Sequence, residues 1–141
     1  MSKTISIILG SDSDLGLVKK CTDVLELLNI EFSTRILSAH RTPDLLEEHV
    51  SECEKGETKV YIAFAGLAAH LAGAIASKTI KPVIGVPVDA GPLSGFDALL
   101  STVQMPKGIP VATVAIGSAG SANAAFLAAQ ILSLSSDEVD N

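Results

Sequence analysis

The chain has 141 residues, 48% hydrophobic and 18% charged, proportions that exclude a disordered segment and suit one domain, expected over 1–141. Its formal net charge of −6 argues against nucleic-acid binding, which needs a dense positive field, and no apolar run approaches the roughly 18 residues of a membrane span. With no signal-peptide pattern, no C-x-x-C pair, 4% aromatic residues and no Trp, the composition predicts a soluble cytoplasmic enzyme or small-ligand binder.

In chain order, the first apolar run, 5–9, has strand length and ends at Gly10. Gly10-Ser11-Asp12-Ser13-Asp14 follows, then an amphipathic helix over 15–28 with Val18, Cys21, Leu25 and Leu28 on one face. Ser11 and Ser13 place hydroxyls beside backbone N–H groups at a helix start, where donors and dipole together can hold a phosphate. An aspartate in this loop suits a ribose diol, whose hydroxyls donate to a carboxylate. The segment is neither G-x-G-x-x-G nor a Walker motif, and helix capping by Ser13 or Asp14 explains it about as well.

A less pure strand is expected over 32–37. Ser38-Ala39-His40-Arg41 comes next, before a helix with a marked start: Thr42 as N-cap, Pro43 at the first position and Asp44 in the first turn. That helix runs to Lys55-Gly56. Arg41 can grip a phosphate bidentately. His40, near that guanidinium and a helix N-terminus, is expected to stay neutral, hence available as a base that later returns the proton. His49 falls mid-helix and reads as surface or packing. Cys21 and Cys53 read as buried reduced thiols.

The third strand covers 60–65. The small residues of Ala65-Gly66-Leu67-Ala68-Ala69 let a ligand approach the backbone, and a helix over 68–78 offers N–H donors to an anion such as a carboxylate. His70 could cap, bridge subunits or touch a substrate, with a structural role slightly favoured. After the fourth strand, 83–88, loop 89–95 is a candidate cover for a pocket. A helix over 96–103 precedes 104–108, a candidate wall, although a plain turn explains each loop equally. A strand over 111–116 and a helix over 121–134 follow, and the acidic end from about residue 135 is expected to fray.

Five apolar strands alternating with helices predict an α/β fold, a three-layer doubly wound parallel sheet in the flavodoxin-like order 2-1-3-4-5. Ligands in such sheets bind beyond the carboxyl ends of the strands, so loops 10–14, 38–42 and 65–70 should meet. Alanine-rich stretches at 68–74 and 122–129, poor in charge, predict burial against another subunit.

Several segments together resemble a known family. They are Gly10-Ser11-Asp12-Ser13-Asp14, Ser38-Ala39-His40-Arg41-Thr42-Pro43-Asp44, Ala68-Ala69-His70-Leu71, Pro82-Val83-Ile84-Gly85-Val86-Pro87-Val88, Leu93-Ser94-Gly95, Val103-Gln104-Met105-Pro106-Lys107-Gly108-Ile109-Pro110-Val111 and Ala122-Asn123-Ala124-Ala125. Over about 4–134 they are similar, in order, to the catalytic subunits of class I phosphoribosylaminoimidazole carboxylase. The resemblance implies a mutase of purine biosynthesis that converts N5-carboxyaminoimidazole ribonucleotide to 4-carboxy-5-aminoimidazole ribonucleotide. It further implies a homo-octamer with sites at subunit contacts. By position, Ser11, Ser13, Asp14 and Arg41 would bind the ribonucleotide, His40 would carry the proton, and Ser38 and Ala39 would line the imidazole region. Ala65, Gly66, Ala68 and Leu71 would form part of the carboxyl pocket, with His70 beside it. No metal, ATP or biotin is implied, so no cofactor is expected.

The alternative is a class II carboxylase acting on aminoimidazole ribonucleotide and CO2; Arg41 and His70 favour the mutase, because class II members carry Lys after the catalytic His and lack the second His. Three departures from the family pattern stand out: Leu67 in place of a second Gly, Ala72 in place of Pro, and the 89–92 loop. Many relatives extend a C-terminal helix over a neighbour beyond the point where this sequence stops, which makes a less buttressed octamer the expectation. A non-catalytic receiver-like module would need an aspartate at the end of the third strand, where Ala65-Gly66 stands, and a lysine where Ile116-Gly117 ends the fifth. A flavin carrier would need aromatic loops, and a Ser–His–Asp hydrolase a G-x-S-x-G elbow; neither occurs.

Overall fold

In the computed structural model, which describes residues 3–135, β1 (Ile5–Leu9), β2 (Phe32–Ile36), β3 (Val60–Ala65), β4 (Val83–Pro87) and β5 (Ala112–Thr113) form one parallel sheet. Their order is β2-β1-β3-β4-β5, as the alternation of elements predicts. The connecting helices are α1 (Leu15–Leu27), α2 (Pro43–Lys55), α3 (Leu71–Ala76) and α4 (Phe96–Val103), and α5 (Ser118–Ser133) is the last element among the described residues. The expectations placed on residues 1–2 and on the acidic segment 136–141 lie outside the described residues. No helix among the described residues is long and apolar enough to cross a membrane.

The sheet divides two apolar layers. On one face Ile5, Ile7, Leu9, Ile62, Phe64, Ile84 and Val86 pack against Val18, Cys21 and Leu25 of α1 and Ala124, Ala125 and Ala128 of α5. On the other, Ile8, Tyr61, Ala63 and Val83 meet Leu46, Val50 and Cys53 of α2 and Leu71, Ala72 and Ile75 of α3. α4 joins this second layer through Gly85, whose missing side chain leaves room for the Thr102 methyl and for Val111. Burial on both faces is why β4 is continuously apolar and β1 apolar apart from Ser6, both strands being wholly buried. Cys21 and Cys53 are buried free thiols, and burial pushes the Cys21 thiol up to about 12.

Several boundaries depart from the sequence reading. β2 is an edge strand, half-buried to exposed along its length, which explains its impure pattern. β5, at the other edge, shrinks to two residues. α3 begins at Leu71, because 66–70 follow an irregular path with Leu67 in left-handed backbone at φ 56°. Gly117, at φ 81°, turns the chain so that α5 starts at Ser118, three residues earlier than expected. The alanine-rich stretches are largely covered by the chain itself: Ala69, Ala72, Ala124, Ala125 and Ala128 are all buried. Small side chains let α5 approach α1 closely, and the buried Ser121 hydroxyl donates to the Leu17 carbonyl across that contact at 2.7 Å.

Candidate active site

The carboxyl ends of β1, β2 and β3 open on one edge of the sheet, where the chain switches sides around β1. There the three loops enclose a cavity of about 530 Å³. Ser11, Ser13 and Asp14 line it from the first loop, Ser38, Ala39, His40 and Arg41 from the second, and Ala65, Gly66, Ala68, His70 and Leu71 from the third. The twelve residues to which the family resemblance gives a role therefore share one space. Gly10, Leu67 and Ala90 also line it; of these, Leu67 stands out from the sequence only as a departure from the family pattern and Ala90 only as part of the candidate covering loop. The 104–108 segment, a candidate wall, lies elsewhere: Met105 rests over Gly73 of α3. From loop 89–95, Ala90 alone reaches the cavity.

Each loop is organised by its own side chains. In the first, Ser11 Oγ accepts from the Ser13 backbone N–H at 3.3 Å and caps a single 3-10 turn, Asp12–Asp14. The Ser11 and Ser13 hydroxyls stand 3.0 Å apart, a pair of donors at the entry to α1. Asp14 caps nothing with its side chain and is nearly buried. Burial, with a smaller contribution from Asp12, raises its carboxyl above the ordinary range.

In the second loop Thr42 is the N-cap of α2 by position, but its side chain makes no capping bond. Its hydroxyl accepts from the Ser38 N–H at 2.9 Å and donates to the Ser38 carbonyl at 3.2 Å, locking the turn. The Ser38 hydroxyl in turn accepts from the backbone N–H groups of His40 and Arg41, at 3.2 and 3.0 Å. Arg41 Nη2 then donates to the Gly10 carbonyl at 3.2 Å, which joins the second loop to the first and sets a guanidinium near the serine pair.

The third loop brings His70 to His40, with Nε2 of His40 2.8 Å from Nδ1 of His70. Apart from His70, this loop and Ala90 present only apolar lining: Ala65, Gly66, Leu67, Ala68, Leu71 and Ala90. The cavity is thus chemically divided. One part offers hydroxyls, a carboxylate and a guanidinium, the groups that hold a phosphorylated sugar. The other offers an imidazole pair beside an uncharged wall. His49, which reads as surface or packing from the sequence, is buried outside the cavity, its Nε2 2.9 Å from the Ser6 hydroxyl.

Residues 4–141 match the family model for AIR carboxylase. The chain is 55% identical to an N5-carboxyaminoimidazole ribonucleotide mutase of Haemophilus influenzae, over 94% of this chain and 82% of that one. It is 54% identical to a protein of the same name from Methanocaldococcus jannaschii, over 96% and 82%. A crystal structure of Treponema denticola PurE superposes with a TM-score of 0.88 at 34% identity, covering 96% of this chain and 84% of that one.

Proposed function

The chain belongs to the AIR carboxylase family, and from that premise we propose that it is an N5-carboxyaminoimidazole ribonucleotide mutase of de novo purine biosynthesis. The isomerase moves a carboxyl group from the exocyclic nitrogen to carbon 4 of the imidazole. One observation carries the mechanism: His40 lines the same cavity as Ser11, Asp14 and Arg41, so a proton carrier faces the groups suited to a ribonucleotide.

In this reading Ser11, Ser13 and Arg41 bind the 5′-phosphate, Asp14 accepts from the ribose hydroxyls, and Ser38 and Ala39 border the ring. Protonated His40 donates to the exocyclic nitrogen as its bond to the carboxyl carbon breaks and CO2 leaves. Carbon 4 attacks the retained CO2, and neutral His40 takes the proton from that carbon, restoring aromaticity. The proton lent in the first half is returned in the second, so one residue serves as acid and then base. Retaining CO2 beside Ala65, Gly66, Ala68 and Leu71 makes recapture intramolecular, an advantage worth several kcal/mol.

We also infer a homo-oligomer, an octamer in this family reading. Phe96, Leu100 and Val103 of α4 are 59%, 50% and 44% exposed and share one helix face, an apolar stripe that suits a partner surface.

The test compares two substrates. Purified protein should turn over N5-carboxyaminoimidazole ribonucleotide rapidly, and aminoimidazole ribonucleotide with bicarbonate slowly at low bicarbonate. The reverse preference would favour the class II carboxylase. His40→Asn should fold and bind nucleotide yet lose at least about 100-fold in kcat. Wild-type turnover in that variant would remove His40 as the proton carrier.

A further inference from the structure

Leu67 occupies left-handed backbone, φ 56°, a region an L side chain rarely adopts without a compensating role. It is half-exposed yet lines the cavity. Its Cδ2 reaches to 2.5 Å from where a Cβ on Gly91 would sit, so the Leu67 side chain fills the space that Gly91 leaves. One residue earlier, a Cβ on Gly66 would lie 3.2 Å from the Ala90 Cβ and 3.5 Å from the Val88 Cβ. The Val88 N–H donates to the Ala65 carbonyl at 3.0 Å, where this seam begins. Residues 65–67 and 88–91 therefore pack closely against one another, and from this seam Ala65, Gly66, Leu67 and Ala90 supply apolar lining to the cavity.

The proposed reaction makes a demand that such a wall answers. When the bond between nitrogen and the carboxyl carbon breaks, the electron pair stays on nitrogen, which takes the His40 proton, and CO2 is set free. That molecule is small and uncharged, and the serines and guanidinium have little hold on it. Only shape can keep it beside carbon 4 until the new carbon–carbon bond forms. We propose that Leu67 is a positioning residue that seals the apolar end of the cavity against loop 89–95, so that CO2 is recaptured before it escapes. This inference rests on the mutase reading.

The experiment follows the carboxyl carbon. N5-Carboxyaminoimidazole ribonucleotide labelled with carbon-13 in its carboxyl group is converted in buffer containing unlabelled bicarbonate, with the enzyme-free breakdown subtracted. Label retained in the carboxylated product and the fraction of aminoimidazole ribonucleotide released are both read. The wild-type protein should retain most label. Leu67→Gly should release severalfold more aminoimidazole ribonucleotide and lose label, with KM within about twofold. Leu67→Ala should fall between, and Leu67→Met, long and apolar, should retain label like the wild type. Should Leu67→Gly fail to fold, the Ala and Met variants still separate sealing from a purely structural role. Equal retention in the wild-type, Ala and Met proteins overturns the proposal. A wild-type protein without turnover overturns the mutase reading and this inference with it, a result distinct from turnover with unaltered retention.

Discussion

His40 Nε2 lies 2.8 Å from His70 Nδ1, with the two rings perpendicular and their centroids 4.9 Å apart. At that separation one nitrogen donates and the other accepts, so a single hydrogen occupies the contact. Two neutral rings joined in this way hold complementary tautomers, one protonated and one unprotonated at the contact. His70 also fixes the direction in which the His40 ring points. Replacing His70 with Leu should therefore lower kcat about fivefold to tenfold, the equivalent of a hydrogen bond of about 1 kcal/mol, with KM within about twofold. Steady-state kinetics check this, and an unchanged kcat would show that the contact does not orient His40.

In the proposed reading, Asp14 trades stability for binding. Burial raises its carboxyl from the ordinary value of 3.8, so between that value and the raised one the folded protein holds the proton more tightly than the unfolded chain. Stability then falls as pH rises through this window and stays lower above it. Asp14→Asn should accordingly melt a few degrees higher than the wild type at pH 7, and the difference should vanish below about pH 4. The same variant should raise KM about tenfold, since a ribose hydroxyl loses an ionised acceptor. Thermal melts at both pH values and steady-state kinetics check both halves; a lower Tm at pH 7 would remove the argument.

Buried His49 is the converse case. Desolvation lowers its imidazole from the ordinary value of 6.5, and the Arg35 guanidinium lowers it further, outweighing the opposing pull of Glu52. Arg35 Nη1 stands 3.4 Å from Nδ1, while Ser6 Oγ and Cys53 Sγ stand 2.9 and 3.5 Å from Nε2. The unfolded chain therefore takes up the proton first, and stability should decline as pH falls from about 6.5 toward the lowered folded value, levelling below it. His49→Phe alone would leave the buried Ser6 hydroxyl without this partner, at a cost of about 1–3 kcal/mol. The double variant Ser6→Ala/His49→Phe removes both polar groups and should flatten that part of the denaturation–pH curve. A slope equal to the wild type's would assign the acid sensitivity elsewhere.

Gly85 lets α4 come close to the sheet. A Cβ there would overlap the Thr102 methyl and lie 3.0 Å from Val111 Cγ1. The buried Thr102 cannot turn aside freely, because its hydroxyl donates to the Ala98 carbonyl at 2.7 Å. Gly85→Ala should cost about 1–3 kcal/mol in urea unfolding, as overpacked cores do, while activity at low temperature persists. No loss of stability would mean that α4 shifts without cost.

Much of this architecture was legible from residues alone. Strands β1, β3 and β4 announce themselves because burial on both faces demands nearly continuous apolar runs, and Thr42-Pro43-Asp44 marks where α2 begins. The first two loops were identifiable because polar residues interrupt that pattern at the carboxyl end of the strand, and the third because a run of small residues leads from its strand to His70. The edge strands were less distinct: β2 faces solvent along part of its length, and β5 pairs through only two residues. The late start of α3 was also hidden, since a run of small residues is compatible with either helix or the irregular path it takes.

Periodicity along the chain thus determined the parallel sheet, its order and the loops that meet at one edge, because a strand or helix repeats its burial every few residues. Tertiary structure alone decided which side chains touch: His40 with His70, Leu67 over Gly91, His49 under Ser6 and Thr42 on Ser38. The first three contacts join residues far apart in sequence, and the fourth replaces a local cap with a different local bond. No repeating pattern encodes such pairings; they exist only once the packed sheet has closed the intervening loops and fixed each rotamer.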